Sequence, residues 1–547
     1  MLAPLLINRL KGKGTFSLQP ILLALLFAGT LSISFLDHDY FYLTWFAFIP
    51  LLFAVEGAGL VKTYLIGLIG GFVCYLIGMY WIVDFIIISK GYHLGKSILI
   101  ASLYWFYCAH LIAGALVALG WLKRYTNIHE FILFPVVVAT FTSCFPMLFA
   151  MRLGESQVNF QTALQAIEFT GVHGLDFIIA LVNIVIFRCL YRQIFKIDKT
   201  QSHTRFQWYL PGLLIGAWFT FGLIQYPLWQ TNIAQWDTLK VGIVQPDEEP
   251  QLGRTKTYPG FSYAYPPEMS MTERLASVQA ELVVWPEGQA KNYLNNTKVK
   301  QAFQRSIKNA GTNVLFHDMQ HTRKPSNGEL LKQTSTAIFI DDTGTQHTSY
   351  IKMKRIPFGE YIPFTDAQSI VGTWVKRVFD NFLIETVEGN EHRLFKHEKL
   401  NIVPLICYET TSPSFVGQAI KNTTLEADPT KGSLIIALSN DGWFGSTHQP
   451  YQHVMPSILR AIENRLPLIH VANNGPSIAV VPSGDVIFTS DFQSPGGYLV
   501  DVSYSHDERG SFYSKYPKVF DYALYSLMIG LLINALFRLT LNRKHPS

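Results

Sequence analysis

The chain has 547 residues and a formal net charge of +5; hydrophobic residues make up 49% of it and charged residues only 15%. Soluble domains carry roughly 25% charged residues, so a wholly water-exposed protein is excluded, and the length requires more than one folding unit. The small basic excess forms no stripe with interleaved aromatics, which argues against nucleic acid as a partner.

Apolar runs open the chain, each near the 20 residues needed to cross a bilayer core. Seven begin near Leu18, Phe41, Thr63, Ser97, Phe131, Leu175 and Tyr209, and an eighth covers Tyr522 to Leu539. The second is the weakest, because it is short and ends at Glu56. Arg9, Lys11 and Lys13 precede the first run as they would in a secretory leader. The further apolar segments behind it and the lack of an A-x-A-like site predict a retained anchor. Lys62, Lys123, Arg124, Arg188, Arg192, Lys196, Lys199 and Arg205 fall in alternate turns, and Arg538, Arg543 and Lys544 end the chain. By the positive-inside rule both termini face the cytoplasm and the polar interval lies outside. The predicted organisation is a seven-helix transmembrane bundle over 1–226, an extracytoplasmic domain over 227–520, and a last transmembrane helix with a cytoplasmic tail over 521–547.

Cys74, Cys108, Cys144 and Cys189 fall in the apolar runs, where a thiol is expected to pack as a small buried hydrophobe. Cys407 alone lies in the polar interval, which therefore has no internal disulfide to make. A lone thiol in an oxidising compartment points to reactivity. No Cys/His cluster of zinc spacing is present, so no metal is expected, and no other cofactor either.

From Leu239 the pattern changes to short β-branched runs: Leu239–Val244, Leu282–Trp285, Asn313–Phe316, Ala337–Ile340, Ile402–Ile406, Leu434–Leu438, Leu468–Val471 and Ile478–Val481. Amphipathic stretches of helical length lie between several of them, among them Thr272–Ala280, Val299–Ala310 and Val454–Asn464. Apolar strands alternating with helices predict an α/β layer domain, whose active residues gather at strand C-terminal ends. Glu287 follows the Leu282–Trp285 run, Cys407 follows Ile402–Ile406, and Lys352 follows the short Thr348–Ile351 run.

Taken singly, each has an ordinary reading: a solvated loop acid, a surface basic patch, a buried structural cysteine. Together they make one chemistry. A thiol attacks a carbonyl only as thiolate, so it needs a proton acceptor, and Glu287 supplies one. The oxyanion that follows needs positive charge and donors, which Lys352 and the backbone N–H of Tyr408 offer. No histidine stands in a motif-like position to act as base.

The ordered motifs are Trp285-Pro286-Glu287, the Tyr350-to-Glu360 stretch ending Pro357-Phe358-Gly359-Glu360, Cys407-Tyr408-Glu409, Ser439-Asn440-Asp441-Gly442-Trp443-Phe444-Gly445, Arg460-Ala461-x-Glu463 and Asn473-Asn474-Gly475. With the membrane frame, this set resembles the nitrilase superfamily and, within it, the membrane-bound apolipoprotein N-acyltransferases. The resemblance implies an α-β-β-α sandwich with Glu287 as general base, Lys352 as oxyanion stabiliser and Cys407 as nucleophile. Glu360 is similar to the family's second glutamate, and Glu409 to an acid near the nucleophile; a structural salt bridge is the alternative for both. On the substrate side it implies Asn440 and Asp441 shaping a loop, with Trp443 and Phe444 lining an acyl pocket or simply packing. Arg460 and Glu463, one helical turn apart, are expected to form a structural pair.

The implied reaction takes a fatty acyl chain from a phospholipid onto Cys407 and passes it to the N-terminal cysteine α-amine of a diacylated apolipoprotein. The implied location is a bacterial inner membrane, with the catalytic domain on the periplasmic side. A membrane-anchored amidase or nitrilase, with water as acceptor, is the alternative, disfavoured by the number of spans. The chain departs from the family pattern at Gly288-Gln289 after the first glutamate and at Gln333-Thr334-Ser335 before the lysine. Its loop before Thr272 carries Tyr258, Phe261, Tyr263 and Tyr265 where some members use tryptophan. Trp374, Val375 and Phe379 are candidates for a lipid-facing arm, or for ordinary core.

Overall fold

The computed structural model describes residues 18–196, 204–249, 258–323, 330–361, 363 and 385–544. Trp374, Val375 and Phe379 lie outside the described residues, as do Arg9, Lys11, Lys13 and Lys199. The chain divides into two compact units. One holds Met1–Val83, His93–Pro227 and Lys518–Ser547; the other holds Asp84–Tyr92 and Leu228–Pro517.

In the first unit, six helices among the described residues are long and apolar enough to cross a membrane: Gln19–Leu36, His38–Val55, Leu60–Gly78, Leu94–Tyr125, Val172–Ile194 and Val519–Leu541. The other two expected spans are not among them. The run near Phe131 forms the helix Glu130–Cys144, only 15 residues long. The run near Tyr209 lies in the 30-residue helix Thr204–Ile233, whose apolar residues are interrupted by polar ones and by Pro211 and Pro227. Six of the eight expected spans therefore meet the length and composition of a crossing helix.

Small residues let two helices of this unit approach backbone to backbone. A Cβ added at Gly67 would lie 2.9 Å from the Ala113 Cα, and one at Gly71 would lie 2.9 Å from the Ala109 carbonyl oxygen. A Gly-x3-Gly ridge thus meets an Ala-x3-Ala ridge, the packing that lipid-embedded helices use when burial of apolar surface offers no drive. Several buried polar groups of the bundle are paired, as hydrocarbon surroundings favour. Asp176 accepts from the Gly154 N–H at 2.8 Å and the Thr142 hydroxyl at 2.9 Å. His173 and Asp521 meet at 2.7 Å, tying Val172–Ile194 to the last helix. Cys74 and Cys108 are buried as expected, but Cys144 and Cys189 are exposed. The outer face of an apolar helix meets lipid rather than protein, so an apolar run alone does not bury its thiols.

The second unit contains two six-stranded sheets. The first has the order β12-β1-β2-β3-β4-β5, from Gly496–Tyr504, Asp237–Gln245, Leu282–Val284, Asn313–Arg323, Leu330–Ile340 and Gln346–Ile351. The second has the order β11-β10-β9-β8-β7-β6, from Val486–Thr489, Ile478–Val480, Leu468–Ala472, Gly432–Ser439, Leu400–Ile406 and Phe395–Lys396. β1-β2-β3 and β7-β8-β9 are parallel and the remaining pairs antiparallel.

Strand alternation builds the layers. Leu239, Val241, Ile243, Leu282 and Val284 share one buried cluster with Ile402, Ile406, Leu434, Ile436 and Leu438 of the other sheet. Val244, Val283, Val314 and Phe316 turn the other way, against Met269, Leu275, Val299, Phe303 and Ile307 of the helices Pro267–Ser277 and Thr297–Ala310. The period of two thus sends alternate residues to the sheet–sheet core and to the helix layer. Thr297–Ala310 begins where the Asn296 side chain accepts from the Lys298 and Val299 N–H groups. It stops at Gly311, whose φ of +65° suits a residue without Cβ. On the second sheet's side, Pro413–Thr423 and Gln449–Asn464 bury Val416, Ile420, Ile458 and Ile462. The result is the expected α-β-β-α sandwich.

Candidate active site

Three strand ends converge. Glu287 follows β2 after Trp285, a fully buried ring packed against Phe303 and Phe316. Lys352 directly follows β5, its N–H bonded to the Ser335 carbonyl at 2.9 Å. Cys407 directly follows β7 with φ +50°, a left-handed turn that a non-glycine residue adopts at a cost of order 1–3 kcal/mol. The turn opens the short 3₁₀ segment Cys407–Thr411.

The three side chains meet. The Cys407 thiol is hydrogen-bonded to the Glu287 carboxylate. Lys352 Nζ stands 3.7 Å from Glu287 Oε1 and donates to Glu360 Oε1 at 2.7 Å. Glu360 Oε2 accepts from the Ile356 N–H at 2.7 Å, which fixes the carboxylate against its own turn. Burial alone would lower the fully buried Lys352, but Glu360, Glu287 and Cys407 hold its ammonium above the ordinary lysine range. Burial also pushes the Cys407 thiol well up, and Glu287 adds to this while Lys352 opposes it. The resting group is therefore a thiol with its proton, beside a base that can accept it. Burial and the neighbouring Glu360 raise the Glu287 carboxyl, with Lys352 pulling it down.

Glu409 faces away from this chemistry. Its Oε1 accepts from the Tyr350 hydroxyl at 2.8 Å and from the Met353 and Lys354 N–H groups at 2.7 and 3.0 Å, and its Oε2 from the Ile406 N–H at 2.8 Å. One buried carboxylate thus ties the turn after Lys352 to the strand before Cys407. Of the two sequence readings for this acid, the structure favours the structural one, through hydrogen bonds rather than a salt bridge. Tyr408 places its ring 5.8 Å from the Lys354 ammonium. Arg460 and Glu463 do pair, fully buried, and Arg460 reaches the Thr410 carbonyl at 3.3 Å.

The loop after β8 braces Glu287. The Glu287 N–H donates to the Ser439 carbonyl at 3.3 Å, and the Asn440 amide reaches the Glu287 carbonyl at 3.5 Å. Asn440 Oδ1 in turn accepts from the Asn473 amide at 3.1 Å. Trp443 is half-buried, and Phe444 stacks on Phe85 of the helix Ile82–Lys90 with ring centroids 5.1 Å apart.

Two histidine positions escaped the sequence reading. His317 on β3 accepts from the Gly288 N–H at Nδ1, 2.9 Å away, and therefore donates from Nε2 to the Ser335 hydroxyl at 2.7 Å. Burial, with Lys352 nearby, lowers it to about 3, so it is a neutral strut between the Glu287 turn and the residue that anchors Lys352. Gly288, at φ +80°, permits that approach. His453 bonds Asp441 Oδ1 at 2.6 Å beside His470, and ligand atoms of the three residues lie within 4.8 Å of one another. Burial works against a charged His453, yet Asp441 and Glu287 hold it above the usual histidine range. The Asp441–His453 contact joins the loop after β8 to the helix Gln449–Asn464. An isolated histidine in a strand or a helix carries no local pattern that would announce either role.

The family model for the apolipoprotein N-acyltransferase N-terminal domain matches residues 27–185, and that for carbon-nitrogen hydrolase matches residues 240–517. The apolipoprotein N-acyltransferase of Geobacter metallireducens is 26% identical over 532 residues, 92% of each chain. That of Rhodopseudomonas palustris is 27% identical over 296 residues, 52% of each chain, and that of Rickettsia typhi 26% identical over 325 residues, 59% of each. In the last two the similarity spans less than two thirds of the relative's own length. Among solved structures, an amidase from Nesterenkonia sp. is 16% identical with a TM-score of 0.34, covering 50% of this chain and 93% of that one. Since the carbon-nitrogen hydrolase match alone takes in half of the sequence and follows a segment similar to the apolipoprotein N-acyltransferase N-terminal domain, the chain belongs to the carbon-nitrogen hydrolase family.

Proposed function

We propose that this protein is an apolipoprotein N-acyltransferase that works through a Cys407 thioester. The observation that carries the reading is the Cys407–Glu287–Lys352 cluster in a chain that also holds, among the described residues, six helices long and apolar enough to cross a membrane. Glu287 takes the thiol proton as sulfur attacks the ester carbonyl of a phospholipid. Lys352 and the Tyr408 N–H stabilise the oxyanion, with Glu360 holding the lysine. The tetrahedral intermediate collapses, the carbon–oxygen ester bond breaks, and Glu287 returns the proton to the departing lysophospholipid. The α-amine of a diacylated apolipoprotein then attacks the thioester and yields its proton to Glu287. The carbon–sulfur bond breaks, and the proton restores the thiol.

Both substrates are bilayer lipids, which explains a catalytic unit joined to membrane helices. Phe444, stacked with Phe85, and Trp443 offer apolar surface for the acyl chain beside the loop that Asn440 shapes. The charge distribution of the chain supports cytoplasmic termini and a catalytic unit over about 227–520 on the periplasmic side of a bacterial inner membrane.

Purified protein given labelled phospholipid and a diacylated lipopeptide tests the assignment. N-acylated peptide is expected. Free fatty acid without N-acylated peptide would instead establish a hydrolase.

A further inference from the structure

Asp441 is fully buried in the loop after β8, directly after the residue that reaches the Glu287 carbonyl. Its Oδ1 bonds His453 Nδ1 at 2.6 Å and accepts from the Ser439 hydroxyl at 3.2 Å. Among the described residues its Oδ2 has no hydrogen-bond partner. Ser439, the last residue of β8, serves both sides. Its carbonyl accepts from the Glu287 N–H at 3.3 Å and the Asn473 N–H at 3.1 Å, while its hydroxyl also lies 3.4 Å from His453 Nδ1. One strand end thus sets the place of the base and of the Asp441–His453 pair.

The reacting groups feel the pair as charge. Burial raises the Glu287 carboxyl; Lys352 lowers it, and Glu360 and Asp441 raise it further. Burial and Glu287 push the Cys407 thiol up, with Asp441 and Glu360 adding and Lys352 opposing. A bare Asp441 carboxylate therefore works against a base that must be ionised. His453 faces Glu287 and Lys352 as well as Asp441; burial opposes its charge, and the two carboxylates sustain it. The other groups near by do not answer Asp441. His470 on β9 packs its ring 5.3 Å from that of His453 and bonds the Ser457 hydroxyl at 2.7 Å. Burial, with His453 beside it, lowers His470 to about 3, so it is neutral, as is His317. Arg460 and Glu463, on the same helix as His453, pair with each other.

We propose that Asp441 and His453 are a positioning pair for Glu287: Asp441 fixes the strand end that holds the base, and His453 neutralises the carboxylate so brought near. The proposal rests on the Cys407–Glu287 chemistry above and adds two residues that act through Glu287. Removing His453 alone leaves a buried anion without its counter-charge. Removing both charges leaves the electrostatics of the base nearly as they were.

His453→Asn keeps an amide donor near the Nδ1 position and removes the charge. His453→Gln, with the same amide one methylene further out, serves if the asparagine variant does not fold. Single-turnover acylation of Cys407 by phospholipid is followed by intact mass across pH in the full-length protein. The His453 variant is expected to move the acid limb up by about one pH unit, a tenfold slower acylation on its acid side. Adding Asp441→Asn is expected to bring the midpoint back toward wild type. Two packing losses would add rather than cancel, so this rescue separates charge from structure. An unmoved midpoint in the His453 variant, or a double variant whose midpoint stays with the single one, overturns the proposal. If neither single variant folds, the double variant decides: a wild-type midpoint supports the proposal and a raised one overturns it. Wild-type protein that forms no Cys407 adduct contradicts the thioester reading itself, whereas a wild-type adduct with unmoved variants removes only the pair.

Discussion

At the scale of single residues, the centre is a proton held between sulfur and carboxylate. The buried thiol keeps it at rest, so the rate depends on Glu287 being ionised when a substrate arrives. Glu287→Gln removes the acceptor and is expected to slow thioester formation by about 10²–10⁴-fold, read by single-turnover acylation. The pH dependence has a definite sign. Burial raises the Glu287 carboxyl, and the base works only when ionised, so activity falls as pH drops through a value above the ordinary carboxylate range. Glu360 contributes to that rise, so Glu360→Gln moves the acid limb to lower pH even as it frees Lys352. A pH–rate profile of the two proteins checks the direction; a limb that stays put or moves up contradicts it.

At the scale of elements, the site is a matter of strand ends held in register. Glu409 accepts four hydrogen bonds that join the end of β5 to the end of β7. Glu409→Ala strands those buried donors at about 1–3 kcal/mol each where water cannot replace the carboxylate. A loss of at least ~3 kcal/mol, measured by denaturant unfolding, is expected. In the membrane unit, Gly71→Leu forces apart helices in backbone contact and is expected to lower Tm in detergent. Gly29→Leu, which meets nothing within 4 Å, leaves Tm unchanged.

These elements also mark what the sequence made legible. β2, β7 and β8 are apolar runs ended by candidate site residues, and they stood out. β6, with two residues, β11, mostly exposed, and β12, an edge strand with alternate residues exposed, lack that contrast. The sandwich itself came from family motifs rather than from periodicity. The roles of Glu409, His317 and His453 were not legible, because their partners lie elsewhere in the chain: Glu409 and Tyr350 are 59 positions apart. Hydrogen bonds of that kind are set by the fold and leave no local spacing.

At the scale of the whole molecule, a nitrilase-type sandwich and apolar helices share one chain, as the proposed transfer between two lipid substrates requires. The topology argued from basic residues makes its own prediction. Leu425, 94% exposed on the catalytic unit, when replaced by cysteine should react with a membrane-impermeant maleimide in spheroplasts without lysis. Labelling that requires lysis would invert the orientation. The central claim, that Cys407 carries the acyl group, is tested most directly by intact-mass spectrometry after exposure to phospholipid. A mass increase of one fatty acyl chain, removed by hydroxylamine and absent from Cys407→Ala, is the predicted result. The same adduct on Cys407→Ala, or none on a protein that still transfers acyl chains, would contradict it.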